Sequence, residues 1–103
     1  MKIVLVCYSG SSASILRDRM AAWARAHEVK AEIIISSLSG LIYDKEGADI
    51  VLVGPQVRCA IASIREQVPR GVPVLAVDTR DYGMAKGDRI MGEAIEAIKR
   101  YRE

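Results

Sequence analysis

The chain has 103 residues, of which 50% are apolar and 27% charged, a balance that allows a core and excludes disorder. Its 15 Lys and Arg against 13 Asp and Glu leave a net charge of +2, too near neutral for a nucleic-acid or anionic-membrane binder. The length suits one domain, residues 1–103.

Lys2–Cys7 (Lys-Ile-Val-Leu-Val-Cys) is short, β-branched and continuously apolar, as suits a strand buried on both faces. The apolar runs Ile3–Cys7 and Ile50–Val53 are far below the roughly 18 residues that span a bilayer. No signal-peptide pattern precedes the first strand, so a cytoplasmic protein is expected, with Cys7 and Cys59 both as free thiols. Tyr8–Ser14 (Tyr-Ser-Gly-Ser-Ser-Ala-Ser) reads as a turn rich in helix caps. A helix follows from Ile15 to about His27, with Leu16, Met20 and Trp23 at helical spacing. Val29–Ser36 is a second strand, and Ser37–Gly47 reads as a short irregular helix carrying Leu38, Leu41 and Ile42. Ala48–Val53 is a third strand, broken by Gly54-Pro55-Gln56. Val57, Ile61, Ile64 and Val68 then form one apolar helical stripe, ended by Pro69, Gly71 and Pro73. Val74–Val77 is a fourth strand and Asp78–Asp88 a polar loop. In the last helix Met91, Ala94, Ile95, Ile98 and Tyr101 make the apolar face, and Glu96 pairs with Arg100.

Strands alternating with helices imply an α/β fold: an open parallel four-stranded sheet with helices on both faces. Right-handed crossovers point to the order 2-1-3-4. Ligands in such sheets bind beyond the carboxyl ends of the strands, where the order reverses. Cys7–Ser14 and Gly54–Arg58 meet there.

Cys7 ends the first strand and precedes Gly10, serines and a helix start. Amides of a turn entering a helix, with the helix dipole behind them, favour an anion. The expectation is a thiolate with pKa below that of a free thiol, or a phosphoryl group carried on the sulfur. Ser9, Ser11, Ser12 and Ser14 add hydroxyls, and Gly10 would permit a positive φ close to the anion. A buried strand cysteine before an ordinary capped turn is the plainer alternative. Small tyrosine phosphatases and arsenate reductases also place a cysteine after the first strand, with arginine six residues on. Here that position is Ala13, and no arginine occurs before Arg17. Without a guanidinium on the transferring group, the loop suits holding a phosphoryl group better than hydrolysing it.

With these features the chain resembles the cytoplasmic IIB component of the bacterial sugar phosphotransferase system, of the lactose/cellobiose (chitobiose) type. The resemblance covers essentially the whole chain. It rests on the strand ending in Cys7, on Gly10 with Ser11, Ser12 and Ser14, on Ala48–Val53 leading into Gly54-Pro55-Gln56, and on Tyr82-Gly83 before the last helix. It implies that Cys7 accepts a phosphoryl group from a phosphohistidine of the IIA component. Cys7 then passes the group to a sugar bound in the membrane IIC component. Tyr8, Ser9, Gly10, Ser11, Ser12, Ala13 and Ser14 would form the phosphate cradle, and Gly54, Pro55, Gln56, Arg58 and Tyr82 the partner-facing edge. No cofactor, metal or nucleic acid is implied, and a monomer is expected. Within the loop, Tyr8-Ser9 and Ser11 replace the usual Ser-Ala and Met.

The remaining residues are read as supporting ones. Cys59 is a passive small side chain and His27 a solvated group at a helix end. Trp23 packs, Arg80 and Asp78 follow the fourth strand, and Tyr82 either packs in its loop or closes over the site. A cysteine-dependent phosphatase or reductase and a phosphorylation-sensing module without transport stand as the alternative functions.

Overall fold

Along the first strand, alternate residues face opposite ways, and both sets are buried. Ile3 and Leu5 join one core cluster and Val4 and Val6 the other, as a strand with helices on both sides requires. A computed structural model of the protein describes residues 1–8, 10–41 and 46–102.

The elements run β1 (Lys2–Val6), α1 (Gly10–Ala26), β2 (Glu32–Ser36), β3 (Ile50–Val53), a 3-10 segment (Pro55–Ala60), α2 (Ile61–Gln67), β4 (Val74–Ala76), α3 (Thr79–Gly83) and α4 (Gly87–Arg102). The four strands form one parallel sheet in the order β2-β1-β3-β4, the expected order. β1 is central, with Val4 opposite Ile34 on one side and Val51 on the other. One face packs on Leu16, Met20 and Ala24 of α1 and Met91, Ala94 and Ile98 of α4. The other packs on Val57, Ile64 and Val68 with Leu41 and Ala48. Among the described residues no helix is long and apolar enough to cross a membrane.

Several element bounds differ from the sequence reading. α1 begins at Gly10, five residues before the expected Ile15. Ala13 is fully buried and extends the stripe of Leu16, Met20 and Ala24 by one turn. That tertiary contact outweighs the modest helix propensity of serine. The stripe from Val57 to Val68 is carried by two elements, since the chain enters as a 3-10 turn with Pro55 in its first turn. The Asp78–Asp88 segment is not a plain loop. The Asp78 carboxylate accepts from the amides of Arg80 (2.9 Å) and Asp81 (3.1 Å) and starts α3. Of the irregular helix expected over 37–47, Leu41 is helical and buried and Leu38 is exposed, while Ile42 lies outside the described residues.

The C-terminus of α1 is closed by paired bonds: Val29 N–H to the Ala24 carbonyl (2.8 Å) and Glu28 N–H to that of Arg25 (3.2 Å). Glu28 therefore adopts φ +55°, a conformation that glycine takes without penalty. Glu28→Gly should stabilise the fold by about 1 kcal/mol, read as a higher urea midpoint with unchanged slope. His27 stacks on Trp23 (ring centroids 4.1 Å apart) and its Nδ1 meets the Trp23 carbonyl at 2.9 Å, which places it at the solvated helix end. Glu96 and Arg100 pair on α4 at 2.9 Å.

Candidate active site

β1 delivers Cys7 to the carboxyl edge of the sheet. The Cys7 amide donates to the Ser36 carbonyl at the end of β2 (2.9 Å), so the residue is held by the ladder although the strand has ended. On the other side the Gly54 amide donates to the Val6 carbonyl (2.9 Å). The chain ends meeting at the β1–β3 reversal are thus Cys7 and Gly54, as the topology requires.

A β-carbon at Gly54 would lie 3.1 Å from the Val6 carbonyl oxygen and 3.5 Å from Cε2 of Tyr82. The absence of a side chain lets Tyr82 close against the strand ends. Tyr82 itself is 7% exposed and belongs to the core cluster that contains Cys7, Ala13 and Leu16. Of the two sequence alternatives for Tyr82, the packing one describes its place: it is a core residue of the cluster that also holds Cys7.

α1 starts three residues beyond Cys7, and its first turn carries no acidic side chain. Its leading amides, those of Gly10, Ser11 and Ser12, have no intrahelical acceptor, and no acidic side chain of the first turn offsets their partial positive charge. The cradle expected over Tyr8–Ser14 is thus mostly helix. Gly10 is helical rather than a left-handed turn residue, Ala13 turns its methyl into the core, and Ser14 is half-buried. Ser9 lies outside the described residues. Tyr8 is 81% exposed beside the nearly covered Cys7, which is 4% exposed.

One expectation for Cys7 is overturned. The thiol is buried in the cluster that contains Ala13, Leu16 and Tyr82. Its pKa is not depressed: burial pushes it up from the ordinary 9.0. The reason is that desolvation penalises the thiolate directly. The titration of Cys7 should therefore have its midpoint above 9.0, and Cys59, which is exposed, should alkylate faster at neutral pH. Linkage gives the corresponding stability effect. The unfolded chain releases this proton first, so the contribution is intact below the unfolded value and is lost as pH rises through the folded one. The check is iodoacetamide labelling against pH, resolved by peptide mass.

The other residues singled out in the sequence sit around this edge with defined partners. Gln56 and Arg58 are exposed on the 3-10 segment and Pro55 is half-buried. Asp78 caps α3, and Asp81, buried, holds Arg89 of α4 (3.2 Å). Neither carboxylate is left pointing at the sulfur as a base. Arg80 is exposed. Among the described residues no three His, Cys, Asp or Glu side chains cluster to hold a metal.

Sequence reasoning missed the apolar rim. Ile15 (57% exposed) and Met84 (56%) flank a depression of about 320 Å³ that Arg19, Gln56 and Tyr82 also line. Arg19 Nη1 reaches the carbonyls of Met84 (3.2 Å) and Ala85 (3.3 Å), tying α1 to the end of α3. The available signal was Ile15 lying off the stripe of Leu16 and Met20, which leaves it on the solvent side.

Residues 2–93 match the family described as PTS system, Lactose/Cellobiose specific IIB subunit. Over 98 residues the chain is 32% identical to the PTS system oligo-beta-mannoside-specific EIIB component of Bacillus subtilis (strain 168), covering 94% of this chain and 95% of that protein. It is 30% identical to the galactose-specific EIIB component of Lactococcus lactis subsp. cremoris (strain MG1363), covering 89% and 91%. The cellobiose-specific EIIB component of Lactococcus lactis subsp. lactis (strain IL1403) is likewise 30% identical, with the same coverage. The solution structure of the cellobiose-specific phosphotransferase IIB component protein from Borrelia burgdorferi superposes with a TM-score of 0.82 at 31% identity, covering 98% of this chain and 94% of that one. The lactose-specific IIB component domain from Streptococcus pneumoniae, at 16% identity, has the same TM-score of 0.82, covers 93% and 95%, and shares the fold.

Proposed function

The chain belongs to the lactose/cellobiose-specific IIB family of the sugar phosphotransferase system, and from that membership we propose that it is a cytoplasmic phosphoryl carrier working through Cys7. The observation that carries the reading is the placement of Cys7 at the end of the central strand, three residues before a helix N-terminus free of acidic side chains.

The donor is a phosphohistidine of a IIA component. The Cys7 sulfur attacks phosphorus in line, the S–P bond forms and the P–N bond breaks. The thiol proton ends on the imidazole nitrogen that has lost phosphorus, so the two proteins exchange a phosphoryl group for a proton. A protonated, buried thiol is compatible with this exchange because the leaving imidazole is the base. The amides of Gly10, Ser11 and Ser12 and the hydroxyls of Ser9, Ser11, Ser12 and Ser14 receive the phosphoryl oxygens. In the second step a hydroxyl oxygen of a sugar bound in a membrane IIC component attacks phosphorus, the O–P bond forms and the S–P bond breaks, and the hydroxyl proton returns the sulfur to the thiol.

Tyr8, Ile15 and Met84, all exposed, with Gln56 and Arg58, make the face that meets both partners. A net charge of +2 gives little long-range steering, so apolar contact dominates docking. Three relatives of nearly equal identity carry the names of three different sugars. This supports placing sugar selection in the membrane component.

A carrier must resist water. Hydrolysis would need a positioned base and a cation on the transferring group. Position 13 is alanine, Asp78 is engaged as a cap and Asp81 is engaged by Arg89. The test is to incubate the chain with phosphoenolpyruvate, the general phosphotransferase proteins and a candidate IIA, then follow intact mass. One added phosphoryl group that persists after donor removal, and discharges with IIC membranes and sugar, is expected. Decay equally fast without IIC and sugar would make the protein a hydrolase.

A further inference from the structure

Beyond the carboxyl end of β4 lies a second concave surface, a cleft of about 490 Å³ lined by Asp78, Arg80, Asp81, Met84, Lys86 and Arg89. Its volume falls in the range of small-molecule sites, about 300–1,000 Å³. Three of these side chains are cations and two are carboxylates, and both carboxylates are committed within the fold. Asp78 caps α3 through the amides of Arg80 and Asp81. Asp81 is buried, and its two oxygens face Nε of Arg89 at 3.2 and 3.4 Å. That contact uses one corner of the guanidinium and leaves Nη1 and Nη2 without a partner among the described residues. Lys86 is placed by the end of α3. Its amide donates to the Asp81 carbonyl (2.8 Å) and the Ala85 amide to that of Tyr82 (3.1 Å), with Ala85 at φ +51°. The side chains of Arg80 and Lys86 are exposed and carry no hydrogen bond or ion pair among the described residues.

We propose that this cleft binds a phosphate dianion, free or as the monoester of a small molecule, held by Arg80, Lys86 and the Nη groups of Arg89. The inference goes beyond the carrier reading and does not depend on the role given to Cys7. Cations gathered around one hollow repel one another, and a bound anion turns that repulsion into attraction. A dianion matches the two uncommitted charges of Arg80 and Lys86. A phosphoryl group presents three strong acceptor oxygens to three cations, where a carboxylate presents two. The planar guanidinium offers N–H groups in pairs to such oxygens. Arg89 is the oriented member of the set, because the buried Asp81 fixes it through Nε. Met84, 56% exposed, gives the wall an apolar part against which the carbon portion of an ester can lie. The concave form favours a small ligand over the broad surface of a protein.

The test is an NMR titration of the full chain, at about 0.15 M salt, with inorganic phosphate, with glycerol phosphate and with glycerol as the neutral probe. Saturable amide shifts confined to residues 79–89 are expected with glycerol phosphate, and none with glycerol. Tighter binding of the ester identifies a phosphorylated small molecule as the ligand, and equal binding of inorganic phosphate identifies the free ion. In Arg80→Gln and in Lys86→Gln the Kd should rise about tenfold, as for the loss of one charge-assisted hydrogen bond. Both side chains are exposed, so neither change disturbs the core, whereas replacing Arg89 would strand the buried Asp81. Arg65→Gln, exposed on α2 over the other face of the sheet, should bind as the parent chain does. Shifts that do not saturate, that spread over the lysines and arginines of the whole chain, or that are unchanged in Arg80→Gln and Lys86→Gln overturn the site. So does an Arg80→Gln chain that binds glycerol phosphate like the parent but binds a IIA component more weakly, since the cleft would then receive an acidic protein surface.

Discussion

Cys7→Ser should reduce phosphoryl acceptance from a phosphorylated IIA by at least about 10³-fold, whereas Cys59→Ser should leave it intact. The serine oxygen would occupy nearly the sulfur's place, with the same amides in front of it. What is lost is the polarizable sulfur, a better nucleophile than a neutral hydroxyl, for which the described residues of this chain offer no base. Asp78 and Asp81 are engaged elsewhere, and the one histidine of the chain bonds the Trp23 carbonyl at the far end of α1. Cys59 is exposed on the 3-10 segment, away from the leading amides of α1. It is the more accessible thiol, so accessibility and transfer should separate: Cys59 alkylates faster and Cys7 carries phosphate. Intact mass after labelling checks both variants in one experiment. Equal loss in the two variants, or full acceptance by Cys7→Ser, would remove Cys7 from its role.

Gly87→Ala should destabilise the fold by about 2 kcal/mol. Gly87 is buried where α4 begins against α1. A β-carbon there would stand 2.8 Å from both the Arg19 carbonyl carbon and the Met20 amide nitrogen. These are backbone atoms in mid-helix, so relief requires the two helices to move apart. That movement would loosen Met20, Ile90 and Met91, which are buried in the same cluster. Gly92, one turn further along α4, gives the opposite result. It is exposed with nothing within 4 Å of a β-carbon, so Gly92→Ala should stabilise by about 0.8 kcal/mol through helix propensity alone. Urea unfolding of both variants tests the pair, and midpoints that shift the same way would contradict the packing account. A weaker helix contact should also lower phosphoryl acceptance in Gly87→Ala, because α1 carries the leading amides.

The alternation of apolar strands with helical stripes determined the fold class and the order 2-1-3-4 directly. Each strand is too short and too apolar to face water, and parallel pairing with right-handed crossovers leaves few arrangements. The same local logic pointed to the candidate site, since the order reverses between β1 and β3 and the strand ends that meet there carry Cys7 and Gly54. Tertiary contacts decided the rest. Serine and alanine read as a loop until Ala13 finds the core, and α1 then grows back to Gly10. α3 was hidden because five residues carry too little periodicity, and the cap that starts it is a single Asp78 carboxylate. The thiol's acidity was misjudged for a related reason. A helix N-terminus is visible in the order of residues, but the side chains that exclude water come from α1 and α3, six and 75 positions away in Ala13 and Tyr82. Desolvation is a property of the assembled edge, and it dominates the charge on Cys7.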